Sequence, residues 1–174
     1  ADADADRLDR RDRHQRLRQA AIAEKKGDWG KAAEDYTKAL QINTNLVAPT
    51  IKLSQLLAAK LNNPQKALEL ARRARDLSPD DPVISHTLGQ LAYAAGDYPW
   101  AASLLQESRR RLPNDAAVQF DFGLAAYSLG QVTNATVAVQ AALDAGLQPP
   151  RSDTAKAFIH LQSLVGNPSQ ADAA

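Results

Sequence analysis

A turn-forming sequence recurs along this chain at nearly constant spacing. Its four copies are Gly27-Asp28, Asn62-Asn63, Gly96-Asp97 and Gly130-Gln131, so the turns are almost evenly spaced. Five residues after the start of each turn stands a small residue: Ala32, Ala67, Ala101 and Ala135. Self-similarity at such a period indicates stacked copies of one supersecondary unit, each covering the apolar face of its neighbour. The chain is therefore constrained to a repeat architecture.

Each unit has the pattern of two amphipathic helices separated by the turn. Glycine ends the first helix of three units because it adopts the left-handed cap conformation freely, and Asn62 is the next-best residue there. Asp28 and Asp97 are placed to cap the second helices. We predict nine helices, at about 7–26, 30–42, 47–61, 64–77, 82–95, 98–111, 115–129, 132–145 and 152–165.

The third unit carries Leu88-Gly89, Gly96-Asp97-Tyr98, Ala101 and Pro113 in order. This pattern resembles the tetratricopeptide repeat (TPR) family, whose period of about 34 residues matches the spacing of the four turns. The resemblance implies an all-α, right-handed α-α superhelix of helix-turn-helix repeats. It covers four repeats within residues 13–147, at about 13–45, 46–80, 81–114 and 115–147. The departures are Thr44 in place of a closing proline, the missing turn glycine of unit two, and Gly146-Leu147 at the end of unit four.

The two ends differ from the repeats. Residues 1–12 are rich in Asp and Arg, and we predict a charged extension or a linker there. Residues 151–166 are expected to form a C-terminal capping helix, since a solenoid must cover its last apolar face. Its Phe158, Ile159, Leu161, Leu164 and Val165 are predicted to share the covering side. Residues 167–174 are expected to be a frayed tail.

Composition argues against several classes of function. The net charge of +1 gives no overall attraction to nucleic acid, and no apolar run approaches the ~20 residues of a membrane-spanning helix. There is no cysteine, and the three histidines lie in different units. No phosphate-binding loop, nucleophile motif or metal-ligand spacing occurs, so neither an enzyme nor a bound cofactor or metal is expected.

The chain contains no methionine, not even at its start, which favours a processed protein or a piece of a longer one. Its abundant alanine, arginine runs and lack of Met and Cys are typical of a bacterial protein. The compartment stays open between the cytoplasm and the periplasm, because a chain without cysteine fits either.

Two arginine runs, Arg72-Arg73-Arg75 and Arg109-Arg110-Arg111, lie in the last turns of predicted second helices. Cations there complement the helix dipole, and this structural role is preferred. A basic stripe that contacts RNA or an acidic protein is the alternative, which the absence of interleaved aromatic residues disfavours.

The TPR resemblance also implies a binding face, because the first helices of TPR repeats line a concave groove for a peptide or a partner helix. The corresponding residues here are Ile51, Gln55, His86, Gln90, Tyr93, Phe120, Leu124 and Tyr127. Tyr93 and Tyr127 are one period apart, as are His86 and Phe120, so each pair occupies one register position. Large rings at such positions are frequent binding anchors. The alternative is that the tyrosines only pack between helices.

The family's carboxylate clamp, which grips chaperone C-termini with Lys, Asn and Arg, is not reproduced here. The matching positions hold Leu17, Ala21, Lys52, Val83 and Thr87. The sequence therefore predicts an adaptor or scaffold that binds an apolar peptide or an amphipathic helix. A structural spacer or self-assembling segment of a longer bacterial protein is the alternative, and a regulatory arm of an enzyme is the third.

Overall fold

A computed structural model describes residues 2–166, and all the regular secondary structure in this range is helical. The tail predicted over 167–174 lies outside the described residues. The helices are α1 (Asp2–Lys26), α2 (Trp29–Ile42), α3 (Val47–Ala59), α4 (Pro64–Leu77), α5 (Pro82–Ala94), α6 (Tyr98–Arg111), α7 (Ala116–Ser128), α8 (Val132–Asp144) and α9 (Arg151–Gly166).

The helix bounds follow the sequence prediction within two residues, except at the first helix. There α1 begins at Asp2 rather than near residue 7, so the charged extension continues the helix. Its charges are spaced to support helical structure, since Asp6 pairs with Arg10 and Asp12 pairs with Arg16, both four residues apart. Each such pair stabilises a helix by only about 0.2–0.5 kcal/mol, so the spacing of these charges predicts a helix only weakly.

The predicted caps and turns are confirmed. Asp28 Oδ1 accepts a hydrogen bond from the Lys31 amide at 3.1 Å, and Asp97 Oδ1 accepts one from the Trp100 amide at 3.2 Å. Asn62 adopts a φ of 47°, so asparagine does take the left-handed turn conformation that glycine provides in the other repeats. The turns therefore depend on local chemistry that the sequence alone displays.

The small residues that follow the turns are the points of close helix contact. All four, together with the second small residue of each repeat, have no measurable exposure: Ala32, Ala39, Ala67, Ala74, Ala101, Ser108, Ala135 and Ala142. A leucine at these sites would hold the helix axes apart, because interiors are packed without spare volume.

By its contacts the chain divides into two compact units, residues 1–91 and 92–174, with the boundary inside α5. In the first unit α1 packs on α2, α2 on α3, and α3 on α4. Ala23, Ala32 and Leu56 form a core cluster there, with Trp29 and Ala33 packed against it.

The first repeat also contains buried polar groups between α1 and α2. The Asp35 carboxylate is fully buried, 3.4 Å from both the Arg16 guanidinium and the Lys31 ammonium. The buried Tyr36 hydroxyl donates a hydrogen bond of 3.0 Å to Glu24. Burial and this carboxylate together raise the pKa of Tyr36 to about 12.

In the second unit α6 packs on α7, α7 on α8, and α8 on α9. The α7–α8 contact is tight at Gly123, where an added Cβ would lie 2.7 Å from Val139 Cγ2 and 3.3 Å from the Ala135 carbonyl oxygen. No side chain fits there without displacement, so glycine permits this helix pair to pack.

The last helix, α9, covers the apolar end of the fourth repeat through part of its predicted face. Ala155 belongs to a cluster with Phe120, Val139 and Ala142, and Phe158 and Ile159 pack against that cluster. The expectation that Leu161 and Val165 share this side is wrong, since they are 59% and 77% exposed. Leu161 lies two residues beyond Ile159, about 200° around the helix, and therefore points away from the core.

Candidate functional site

The eight predicted groove residues differ widely in accessibility. In the first unit Ile51 is buried at 7% exposure, and Gln55 is half-buried and donates a 3.0 Å hydrogen bond to the Thr87 hydroxyl. His86 is half-buried and Gln90 is exposed. This unit therefore presents polar side chains rather than apolar ones at the predicted positions.

In the second unit Phe120 is buried at 4% exposure, so it does not project from the surface as the register position suggested. Leu124 is half-buried and packs in the same cluster. Phe120 is covered by Arg151 of α9, whose guanidinium carbon lies 4.6 Å from the ring centroid. Arg151 also forms an ion pair with the nearly buried Asp121. These contacts fix the start of α9 against α7.

The remaining two predicted residues, Tyr93 and Tyr127, make side-chain contacts near the surface. The Tyr93 ring stands 5.2 Å from the Tyr98 ring at an interplanar angle of 53°. The Tyr93 hydroxyl lies 3.4 Å from the hydroxyl of Ser128, the residue that follows Tyr127 in the sequence. The Tyr127 ring meets the Phe158 ring edge-on, at 5.2 Å and 85°.

We call this surface the aromatic strip and define it by residues that are each linked to the next by contact or by adjacency along a helix: Tyr98, Tyr93, Ser128, Tyr127, Phe158 and Leu161. It holds three of the chain's four tyrosines. Leu161 completes it because a residue three positions after Phe158 lies on the same helical face.

The strip is partly open. Tyr98, Tyr127 and Leu161 are exposed by 36%, 49% and 59%, whereas Tyr93 and Phe158 are half-buried. Because its rings are only partly covered, the strip is an apolar and accessible surface.

Four members of the strip were not predicted from the sequence as binding residues: Tyr98, Ser128, Phe158 and Leu161. Leu161 had a signal, since it follows Tyr127 by one repeat period and so holds the register position of Tyr93 and Tyr127 in α9. Phe158 was assigned to the core-covering side and serves both surfaces. Tyr98 sits in a turn motif, and nothing in that motif indicates that its ring reaches Tyr93.

The arginine runs serve internal contacts. Arg73 donates a 2.8 Å hydrogen bond to the Thr44 carbonyl, and Arg75 donates one of 2.9 Å to the Ser85 hydroxyl. The Arg109 guanidinium lies 4.8 Å from the Phe122 ring centroid. These contacts give Arg73, Arg75 and Arg109 a structural role within the chain. Within residues 2–166 no group of three or more acidic, His or Cys side chains is placed to hold a metal ion.

Comparison with known proteins agrees with this architecture. Two family profiles described as tetratricopeptide repeat match residues 17–82 and 58–119, together more than half of the chain. The chain belongs to the tetratricopeptide repeat family. It is an all-α TPR solenoid and, as a member of that family, a protein-interaction repeat module. TPR scaffolds are generally non-enzymatic.

Solved structures with the same fold include a MamA protein, with a TM-score of 0.74 and 20% identity, covering 93% of this chain and 86% of that one. MamA from Desulfovibrio magneticus RS-1 gives a TM-score of 0.72 at 18% identity over 94% and 98% of the two chains. YrrB, described as a TPR protein with an unusual peptide-binding site, gives a TM-score of 0.66 at 20% identity, covering 79% of this chain and 70% of that one. Comparison with curated proteins gives no match. In residues 2–166 no helix is both long and apolar enough to cross a membrane.

Proposed function

We propose that this TPR protein is an adaptor or scaffold that binds a segment of a partner protein on the aromatic strip. The observation that carries the proposal is the two pairs of contacting, partly exposed rings, Tyr98–Tyr93 and Tyr127–Phe158, which are linked by the contact between Ser128 and Tyr93. Large, rigid rings supply contact area at low entropic cost, and they dominate binding energy when a partner covers them.

The register of the strip supports the same role. Tyr93, Tyr127 and Leu161 follow one another at intervals of one repeat on α5, α7 and α9, so one position of the repeat presents an apolar side chain three times. In the TPR family this position belongs to the peptide-binding side, and the similar YrrB is described as having a peptide-binding site. The capping role of α9 is part of this proposal, because α9 contributes Phe158 and Leu161.

The first unit presents polar groups at its predicted positions. Gln55 and His86 are half-buried and Gln90 is exposed. These side chains offer hydrogen bonds rather than apolar contacts, so the binding surface of this proposal is the strip alone.

The test is affinity capture from native lysate by the tagged chain, compared with a Tyr127→Ala/Leu161→Ala double variant. Both side chains are about half exposed or more, so their removal spares the core, whereas Phe120→Ala would open a buried cavity. We expect the captured partner to fall by about 30-fold or more, since hot-spot side chains contribute at least about 2 kcal/mol.

Val137→Ala is the matched control, because Val137 is a large apolar residue of α8 outside the strip and is 57% exposed. Circular dichroism checks that each variant is folded. If the double variant holds the partner as tightly as the parent, or if Val137→Ala releases it equally, the strip is not the binding surface and a spacer or self-assembling segment becomes the better account.

A further inference from the structure

One face of α1 carries the two most exposed large apolar side chains within residues 2–91. Leu8 is 65% exposed and Ile22 is 53% exposed, whereas the other exposed side chains of this kind in that range are between 36% and 45% exposed. The two residues are separated by about 40° around the helix and by ~21 Å along its axis. Gln15, midway between them, is also exposed. An apolar row therefore follows the helix and lies open to solvent.

A row of cations runs beside the apolar row with the same spacing of seven residues. Each cation follows a member of the apolar row by three positions, so it lies next to that residue on the helix surface. All three cations are exposed. We call the two rows together the α1 stripe, and its members are Leu8, Arg11, Gln15, Arg18, Ile22 and Lys25.

The cations of the α1 stripe differ from the other arginines of the helix in their pairing. Asp6 pairs with Arg10, and Asp12 pairs with Arg16. No ion pair or hydrogen bond joins the three stripe cations to any side chain that the structure describes. The stripe therefore offers positive charge that is available to a partner.

This charge selects the chemistry of the partner. A surface that covers Leu8 and Ile22 also removes water from the cations beside them. A neutral surface would leave those cations desolvated and a basic one would repel them, whereas carboxylates would pair with them. Nucleic acid is a poorer fit, because its phosphates would lie over apolar side chains and close to the aspartates of the same helix.

The spacing of the cations selects the conformation of the partner. Seven residues advance a helix by ~10.5 Å, so carboxylates at every seventh position of a second helix stay in step with the stripe. Side chains on one face of an extended strand recur every ~6.8 Å and lose this match after one pair. A helix with acidic residues beside an apolar row is therefore the complement of the stripe.

A cavity beside Ile22 adds room for a side chain of such a helix. It lies between α1 and α2, has a volume of about 240 Å³, and includes Ala23 in its wall. The carboxylates that line it are engaged, since Asp28 caps α2 and Asp35 is ion-paired. Lys26, in the same lining, is exposed and has no partner among the described residues. The cavity thus supplies a fourth available cation at this end of the stripe.

We propose that the α1 stripe binds an acidic amphipathic helix of a partner protein. The apolar residues of that helix lie on Leu8 and Ile22, and its carboxylates pair with Arg11, Arg18 and Lys25. This is a second interaction surface, in the first unit, whereas every member of the aromatic strip is in the second unit. The inference therefore stands or fails independently of the proposed function.

The experiment is isothermal titration calorimetry of the full chain with two capped helical peptides of about three heptads each. The acidic peptide has leucine at the two apolar positions of each heptad and glutamate at the flanking positions, and its basic twin has lysine in place of every glutamate. We expect the acidic peptide to bind at least about tenfold more tightly than the basic twin.

The decisive variant is Arg11→Glu/Arg18→Glu/Lys25→Glu, which reverses the charge of the stripe and leaves its apolar row intact. We expect it to bind the acidic peptide at least about tenfold more weakly than the parent does, and to prefer the basic twin, because each charge pair changes sign. All three side chains are exposed, so the fold should be preserved, and circular dichroism checks this.

Lys52→Glu/Lys66→Glu/Lys156→Glu is the matched control. These exposed lysines are on α3, α4 and α9, so the variant has the same net charge as the reversed stripe and should keep the affinity of the parent within about twofold. Leu8→Ala/Ile22→Ala tests the apolar row and should weaken binding of the acidic peptide about tenfold.

Four results would overturn the inference. The parent could bind neither peptide, or both equally, and then charge does not select a helical partner. The lysine control could lose as much affinity as the reversed stripe, which would mean that net charge alone attracts the peptide. A single-stranded oligonucleotide could bind more tightly than the acidic peptide and be lost in the reversed stripe, which would make the stripe a nucleic-acid surface. Light scattering could show a dimer that Leu8→Ala/Ile22→Ala dissociates, and the occupant would then be a second copy of this chain. Capture with Tyr127→Ala/Leu161→Ala tests the aromatic strip separately in every case.

Discussion

The first and fourth repeats hold their helix pairs together by different chemistry. Between α1 and α2 the contact includes the buried Asp35 carboxylate, which is paired with Arg16 and Lys31. Between α7 and α8 the contact depends on Gly123, whose missing side chain lets Val139 approach. Both pairs occupy the same repeat frame, with the same kind of turn between their helices.

The difference shows that the TPR period specifies helix length and turn position more strictly than it specifies the chemistry of the interface. A charged interface is directional and depends on ionisation, whereas a close-packed one depends on volume. The two repeats should therefore respond differently to changes in charge, in size and in pH, and each response tests the comparison.

The largest expected effect is from Asp35→Ala. The substitution removes the shared partner of Arg16 and Lys31, and we expect the free energy of unfolding to fall by about 2 kcal/mol. The value lies below that for a wholly buried pair, because the two cations are 30% and 44% exposed and regain water. Urea denaturation followed by circular dichroism measures it.

Glu34→Ala is the control for Asp35→Ala. Glu34 is the preceding residue of α2, and the neighbouring lysines, Lys38 first and then Lys31, lower the pKa of its carboxyl. It is exposed, however, so its removal should leave stability nearly unchanged. Equal losses for the two variants would mean that burial of Asp35 is irrelevant, and that the first repeat is not held by a buried charge.

The second effect compares one substitution in two repeats. Gly123→Ala should lower the free energy of unfolding by about 1–2 kcal/mol, since the cost of overpacking against Val139 exceeds the gain in helix propensity. Gly30→Ala in α2 places its Cβ where no atom lies within 4 Å, so only a propensity gain remains, at most about 0.5 kcal/mol because Gly30 lies in the first turn.

The opposite signs of these two changes are the test, measured by the same denaturation. A Gly123→Ala/Val139→Ala double variant should be less unstable than the sum of its single variants, because the second change removes the closest contact. Stabilisation by Gly123→Ala alone would show that α7 and α8 have room to spare.

The elements predicted correctly from sequence are those that depend on neighbours in the chain. Asp28 and Asp97 cap helices three residues away, and Asn62 adopts a backbone conformation that its own side chain permits. Repeated spacing adds to these local signals, and so the helices, turns and TPR assignment were all accessible.

The candidate site was less predictable because tertiary contacts decide exposure. Register placed Phe120 and Tyr127 on one surface, but Arg151 covers Phe120 from the last helix, and Tyr127 stays open. Equivalent positions in different repeats therefore lie on the same face of their helices but differ in which residues cover them. The ring contact between Tyr93 and Tyr98 likewise depends on the conformation of the turn between α5 and α6.

The smallest expected effect is a loss of stability at alkaline pH that originates in the first repeat. Tyr36 ionises near pH 10.0 when unfolded, and its pKa is raised to about 12 in the folded chain by burial and by Glu24. The neutral hydroxyl is thus favoured by folding. The stability that this preference contributes is fully present below pH 10 and is lost as the pH rises toward 12. The loss amounts to at most about 1.4 kcal/mol by pH 11.

The measurement is urea denaturation at pH 9 and pH 11 for the parent and for Tyr36→Phe, since other groups titrate equally in both proteins. Phenylalanine keeps the ring but cannot ionise, so the variant should lose less stability over this interval, although its stability at pH 9 is lower without the Glu24 hydrogen bond. Equal losses in the two proteins would place the alkaline sensitivity elsewhere. The first repeat would then differ from the fourth in its charge pairs alone, without a contribution from the tyrosine.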